Sequence, residues 1–160
     1  MADLQTLTDY LVDFGAKDVP HTEKTYFAHA MSVYADIKKW QVDDAVCRAA
    51  LFHSIYGTEG FTTLTLEIER RDELRELIGD RAEKLAYANC AMDRESFYKL
   101  VHEVRDRYQI PDRLTEGMIE LSAAEFDDLM RLHLCDCRHQ SFFHLKTALL
   151  RLKFHLLVLW

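Results

Sequence analysis

Apolar residues recur at three- and four-residue spacing in one segment after another of this chain, a pattern that helices bury by packing their apolar faces together. Leu4, Leu7 and Leu11 make the first stripe, and Tyr26, Ala30, Val33, Tyr34 and Ile37 the second. Ala82, Leu85, Ala86 and Cys90 follow, then Phe97, Leu100, Val101 and Val104. Phe126, Leu129, Leu132 and His133 share a late stripe, and Phe142, Leu145, Leu149, Leu152, Leu156 and Leu159 the last. With only five glycines and two prolines in 160 residues, little material remains for the turns of a β fold. The expectation is an all-α fold, a compact single-domain helical bundle over residues 1–160.

Capping signals punctuate the stripes. Asp3 starts the first helix and Gly15 stops it; Thr22 is placed to cap a helix running to about Trp40. Gln41 and Val42 then make a tight connection to an Asp43-capped helix that carries Val46, Ala49, Ala50 and His53 on one face before Gly57. Leu64 to Gly79 is a charge-rich, solvated stretch, Asp80 to Glu83 resembles a capping box, and Asp93 is a further cap. Ile110 to Gly117 reads as irregular, and Ser122 to Glu125 as a second capping box.

His53 is the polar residue that this arrangement turns inward. A buried histidine most often needs only a carbonyl partner. His29, however, lies on the preceding helix, whose inner face should meet that of His53, and Asp136 lies on the same side of its helix as Leu129, Leu132 and His133. Two imidazoles and a carboxylate from three inward faces suit a divalent metal: iron, zinc or manganese among others.

The net charge of −7 gives no general attraction to a phosphate backbone or an anionic membrane, so neither nucleic acid nor membrane is an expected partner. Cys47, Cys90, Cys135 and Cys137 lack the paired spacing of a structural zinc site and read as buried thiols. With no basic start and apolar run at the N-terminus, a cytoplasmic location is expected. The apolar Phe154 to Trp160 end is too short to span a bilayer; it is expected on the core or on a second subunit, which would make a homodimer.

His29, the pair His53-Ser54 and Asp136 resemble, in order and helical context, the HD-domain superfamily of all-helical metal-dependent hydrolases. The layout from His29 to Asp136 is most similar to the stringent-response nucleotide hydrolases. Ala50-Leu-Phe-His53-Ser-Ile-Tyr-Gly-Thr58, with Trp40 and Asp93-Arg94, resembles an uncharacterised bacterial and fungal HD-like group bearing His-Ser-x-Tyr-Gly-Thr. The resemblance covers about residues 20 to 140. In HD hydrolases the doublet aspartate is a ligand; Ser54 stands there instead, which leaves His29, His53 and Asp136. That set is also the two-histidine, one-carboxylate ligand set of non-haem iron.

Three functions follow as expectations. The first is a metal-dependent hydrolase (with Mn, Fe, Zn or Mg) acting on a small phosphorylated or nucleotide-like substrate. There His29, His53 and Asp136 would bind the ion, Arg94 the anionic substrate, and Glu59 or Asp93 would orient water. The second is a mononuclear non-haem iron oxygenase with the same ligands, and His21, Ser54 and Tyr56 lining the substrate pocket. The third is a non-catalytic HD-like ligand-binding or interaction domain, made credible by Ser54, a poor metal ligand.

Overall fold

The computed structural model describes residues 2–21 and 24–138. The first helix, α1 (Leu4–Asp13), begins where Asp3 accepts a hydrogen bond from the Thr6 amide. A short antiparallel pair follows, β1 (Pro20–His21) with β2 (Lys24–Thr25). Thr25 then caps α2 (Tyr26–Lys38) by accepting from the Ala28 amide, so the cap stands three residues after the expected Thr22, which lies outside the described residues. Asp43 caps α3 (Asp44–Leu51) through the Val46 amide.

Past a 3-10 turn at Ile68–Arg70 comes α4 (Arg71–Ile78). Gly79, at φ +93°, links it directly to α5 (Asp80–Ala91). The capping box expected from Asp80 to Glu83 is not formed: Gly79 occupies the cap position without a side chain to offer. Glu83 turns inward instead and is 1% exposed. It accepts two hydrogen bonds from Arg71 at 2.7 and 3.0 Å, one from Arg75 at 3.2 Å, and one from the Tyr56 hydroxyl at 2.9 Å. A charged residue on the buried face of a helix is tolerated because its partners come with it.

The fold is not all-α. After α6 (Arg94–Leu100), β3 (Arg107–Pro111) pairs antiparallel with β4 (Met118–Ser122). Tyr108 opposes Leu121 and Ile110 opposes Ile119; these four are buried while their neighbours along each strand face out. The protein is therefore mixed, seven helices with two small two-stranded antiparallel sheets among the described residues. The period-two alternation that makes a half-buried strand spans only five residues here. The turn between the strands is organised by Asp112, whose Oδ1 accepts from the Leu114 and Thr115 amides.

The final described helix, α7 (Ala123–Arg138), opens on the expected capping box. Glu125 accepts from the Ser122 amide at 2.7 Å, and the Ser122 hydroxyl accepts from the Glu125 amide at 3.3 Å. One continuous apolar core holds these elements together, with α2 packed on α3, α3 on α5, and α7 crossing α2, α3 and α5. No described helix is long and apolar enough to cross a membrane. The helix and homodimer expectations for residues beyond Arg138 lie outside the described residues.

Candidate metal centre

Helix α3 stops at Leu51, so His53 stands in the turn just past its end rather than on the helix itself. The ending fixes the imidazole. Nδ1 of His53 lies 2.7 Å from the Ala50 carbonyl, which can only accept; Nδ1 therefore carries a proton, and in the neutral ring Nε2 presents its lone pair. Helix α5 holds the backbone at the same point, because the His53 carbonyl accepts from the Asn89 amide nitrogen at 2.8 Å and from the Cys90 thiol at 3.1 Å.

His29 reaches the same spot from the buried face of α2, and Asp136 from the buried face of α7. Nε2 of His29 is 3.1 Å from Nε2 of His53 and 3.0 Å from Oδ1 of Asp136; the His53 to Asp136 distance is 3.3 Å. The three side chains are 0–1% exposed, and their donor atoms form a nearly equilateral triangle. With metal–ligand bonds of about 2.1 Å, adjacent octahedral ligands lie about 3.0 Å apart and tetrahedral ones about 3.4 Å. Two observed sides, 3.0 and 3.1 Å, match the first value and the third, 3.3 Å, lies nearer the second, a spread that fits three ligands on one face of an ion.

Burial opposes charge on Asp136, but the neighbouring His53 and His29 outweigh it and hold the carboxyl well below the usual carboxylate range. Burial likewise opposes charge on His53, where Asp136 and the Ala50 carbonyl prevail and raise it. The same stabilisation of positive charge beside a fixed carboxylate is available to a cation.

Around the triangle stands a mixed aromatic and polar wall. The His21 ring lies 4.4 Å from that of His29 and 4.5 Å from that of Phe61, and Phe61 stacks on Tyr26 at 5.2 Å. Burial foremost, then the positive side of His29, pushes His21 down to about 4. His133, one turn before Asp136, pairs its Nε2 with the Tyr98 hydroxyl at 2.9 Å. The charge of Arg94 acts on both His53 and His133, and its buried Nε finds no hydrogen-bond partner among the described residues.

The residues singled out in the sequence thus divide. His29, His53 and Asp136 converge, with His21 against them and Arg94 within electrostatic reach. Ser54 is buried beside His53. Tyr56 is directed elsewhere, into the Glu83 cluster. Asp93 caps α6 by accepting from the Ser96 amide at 2.8 Å. Glu59 is exposed; it accepts from the Arg94 amide at 3.0 Å and lies 3.8 Å from Arg113, so its carboxylate braces the start of α6 rather than joining the triangle. Sequence reasoning missed Asn89, whose amide in an otherwise small, apolar stretch of α5 was the available sign of a buried hydrogen bond.

No curated protein and no solved structure matches the chain. A family model described as a domain of unknown function (DUF6817) matches residues 10–94, a span that carries His21, His29, His53 and Arg94 and ends before Asp136. That match covers more than half of the sequence, and the chain belongs to the DUF6817 family.

Proposed function

We propose that this protein is an HD-like, metal-dependent hydrolase that acts on a small phosphorylated or nucleotide-like substrate. The observation that carries the reading is the triangle of His29, His53 and Asp136, three donors from three elements converging on one point with His53 locked in the ligating tautomer. A divalent ion held there would supply Lewis acidity and a water acidified towards neutrality. Asp136 supplies the one negative charge of the set, and His29 and His53 leave the remaining positions open to water and substrate. Arg94, with a buried Nε that has no hydrogen-bond partner among the described residues, favours an anionic substrate and would offset the charge that grows on its oxygens. In the reaction, water adds to phosphorus, the bond from phosphorus to the leaving oxygen breaks, and a proton from the water ends on that oxygen. The four free thiols of Cys47, Cys90, Cys135 and Cys137 favour a reducing cytoplasm as its location.

A second reading, a mononuclear iron(II) enzyme that uses oxygen, is favoured by the donor set itself, two imidazoles and one carboxylate on one face. One experiment separates the two. Wild type and His53→Ala, purified without chelator both in air and anaerobically, are analysed for metal and assayed against phosphoesters. The hydrolase predicts close to one manganese, magnesium or zinc per chain and turnover, both lost in the variant. Iron together with oxygen consumption would favour the second reading. Absence of metal in both proteins after reconstitution would sink both and leave a ligand-binding domain with a polar core.

A further inference from the structure

Tyr26 is completely buried, yet its hydroxyl finds no hydrogen-bond partner among the described residues. A phenol taken out of water without a partner is costly, and such exceptions in a folded protein call for an explanation. Its ring position is not accidental: it opens α2 one turn before His29, stacks on Phe61 at 5.2 Å, and meets the edge of His21 at 6.3 Å. His21 in turn touches the His29 ring. Asp136 and the Cys90 thiol both act electrostatically on the hydroxyl, and that thiol is bonded to the His53 carbonyl, so the hydroxyl lies within reach of the elements that carry the triangle. Burial first, then these two groups, keep the phenol protonated, so it can only enter a site as a neutral donor or acceptor.

We propose that the Tyr26 hydroxyl donates a hydrogen bond to an oxyanion, a phosphoryl or carboxylate oxygen, held at the His29, His53 and Asp136 centre. This rests on the metal-site reading above and assigns a substrate-contacting residue on α2, distinct from Arg94 on α6. The two donors approach from different elements, and an oxyanion with several acceptor oxygens can use both. No proton is transferred and no bond to Tyr26 forms; its part is to fix the oxygen and take up its charge through the O–H dipole.

The test compares wild type with Tyr26→Phe after loading each with cobalt(II), whose visible absorption reports its ligands, and titrating with inorganic phosphate. Tyr26→Phe keeps the ring against Phe61 and His21 and removes only the unpartnered oxygen. Its unfolding midpoint should therefore match or exceed that of wild type, and its cobalt content should be unchanged. Phosphate binding should weaken roughly ten- to a hundredfold, the loss expected for one hydrogen bond to a charged acceptor. Equal phosphate affinity in both proteins, or a wild-type cobalt spectrum that phosphate does not alter, overturns the role of Tyr26 and leaves the metal site standing. A loss of stability in Tyr26→Phe overturns it as well, because the hydroxyl would then have a structural partner. Failure of the wild type to take up cobalt overturns the metal reading and this inference with it.

Discussion

His133 shows how strongly one residue's surroundings set the charge it can carry. Its ring is enclosed by Phe97, Tyr98, Cys137 and the backbone of α7, with Arg94 near enough to repel a proton and Asp136 acting the other way. Burial foremost, then Arg94, pushes it down to about 3, whereas the unfolded chain titrates it at the ordinary histidine value of 6.5. Between those values the unfolded state binds more protons than the folded state, so stability rises with pH across the window and falls as pH is lowered through it. His21, pushed down to about 4, adds to the same slope. The urea midpoint should therefore drop steadily from about pH 6.5 towards pH 4, and His133→Gln should flatten that dependence in part. A slope unchanged in the variant would show that His133 is not held neutral by the fold. The sequence marked His29 and Asp136 because their positions along helical stripes were legible, and His53 by continuing a stripe past Leu51, where the helix in fact ends; Tyr26 stood in it only as one more apolar position. What distinguishes Tyr26 is that its hydroxyl lacks a partner among the described residues, and only the packing of α2 against its neighbours shows that.

Among the elements, legibility followed the strength of the local signal. Helices α1, α3, α6 and α7 start where Asp3, Asp43, Asp93 and Ser122 cap them, because a side-chain oxygen bonding an amide two or three residues on is a purely local event. The β3–β4 hairpin was passed over: each strand supplies only two buried residues, and neither pair means anything until the other strand lies beside it. Glu83 was misplaced for a related reason. Its position suited a helix cap, yet Arg71, Arg75 and Tyr56 from outside α5 surround it and draw it inward. Removing a buried carboxylate leaves Arg71, which also lies 3.5 Å from the Tyr87 ring, and the Tyr56 hydroxyl without their main partner. Glu83→Ala is expected to cost about 2–4 kcal/mol of stability, measured by urea denaturation. A loss under about 1 kcal/mol, the range of an exposed pair, would show that the cluster is solvent-like.

At the scale of the whole molecule, the centre ties together residues up to 107 positions apart, from α2, the turn after α3, and α7. An ion that binds all three ligands recognises only the folded chain, so it should stabilise the protein by about 2.7 kcal/mol at a hundredfold excess over its dissociation constant. Melting wild type with and without added manganese or zinc should show that gain, and His53→Ala should not; an equal response in both proteins would place the ion elsewhere. By itself the sequence determined the predominance of helices, most of their start points and the inward direction of His29 and Asp136. Those properties follow from period and capping, which act over a few residues. The tertiary structure alone decided that the chain includes two small sheets, that Glu59 and Tyr56 face away from the triangle, and that His29, His53 and Asp136 meet within 3.3 Å. Each of these depends on contacts between segments far apart in the chain, which no local pattern encodes.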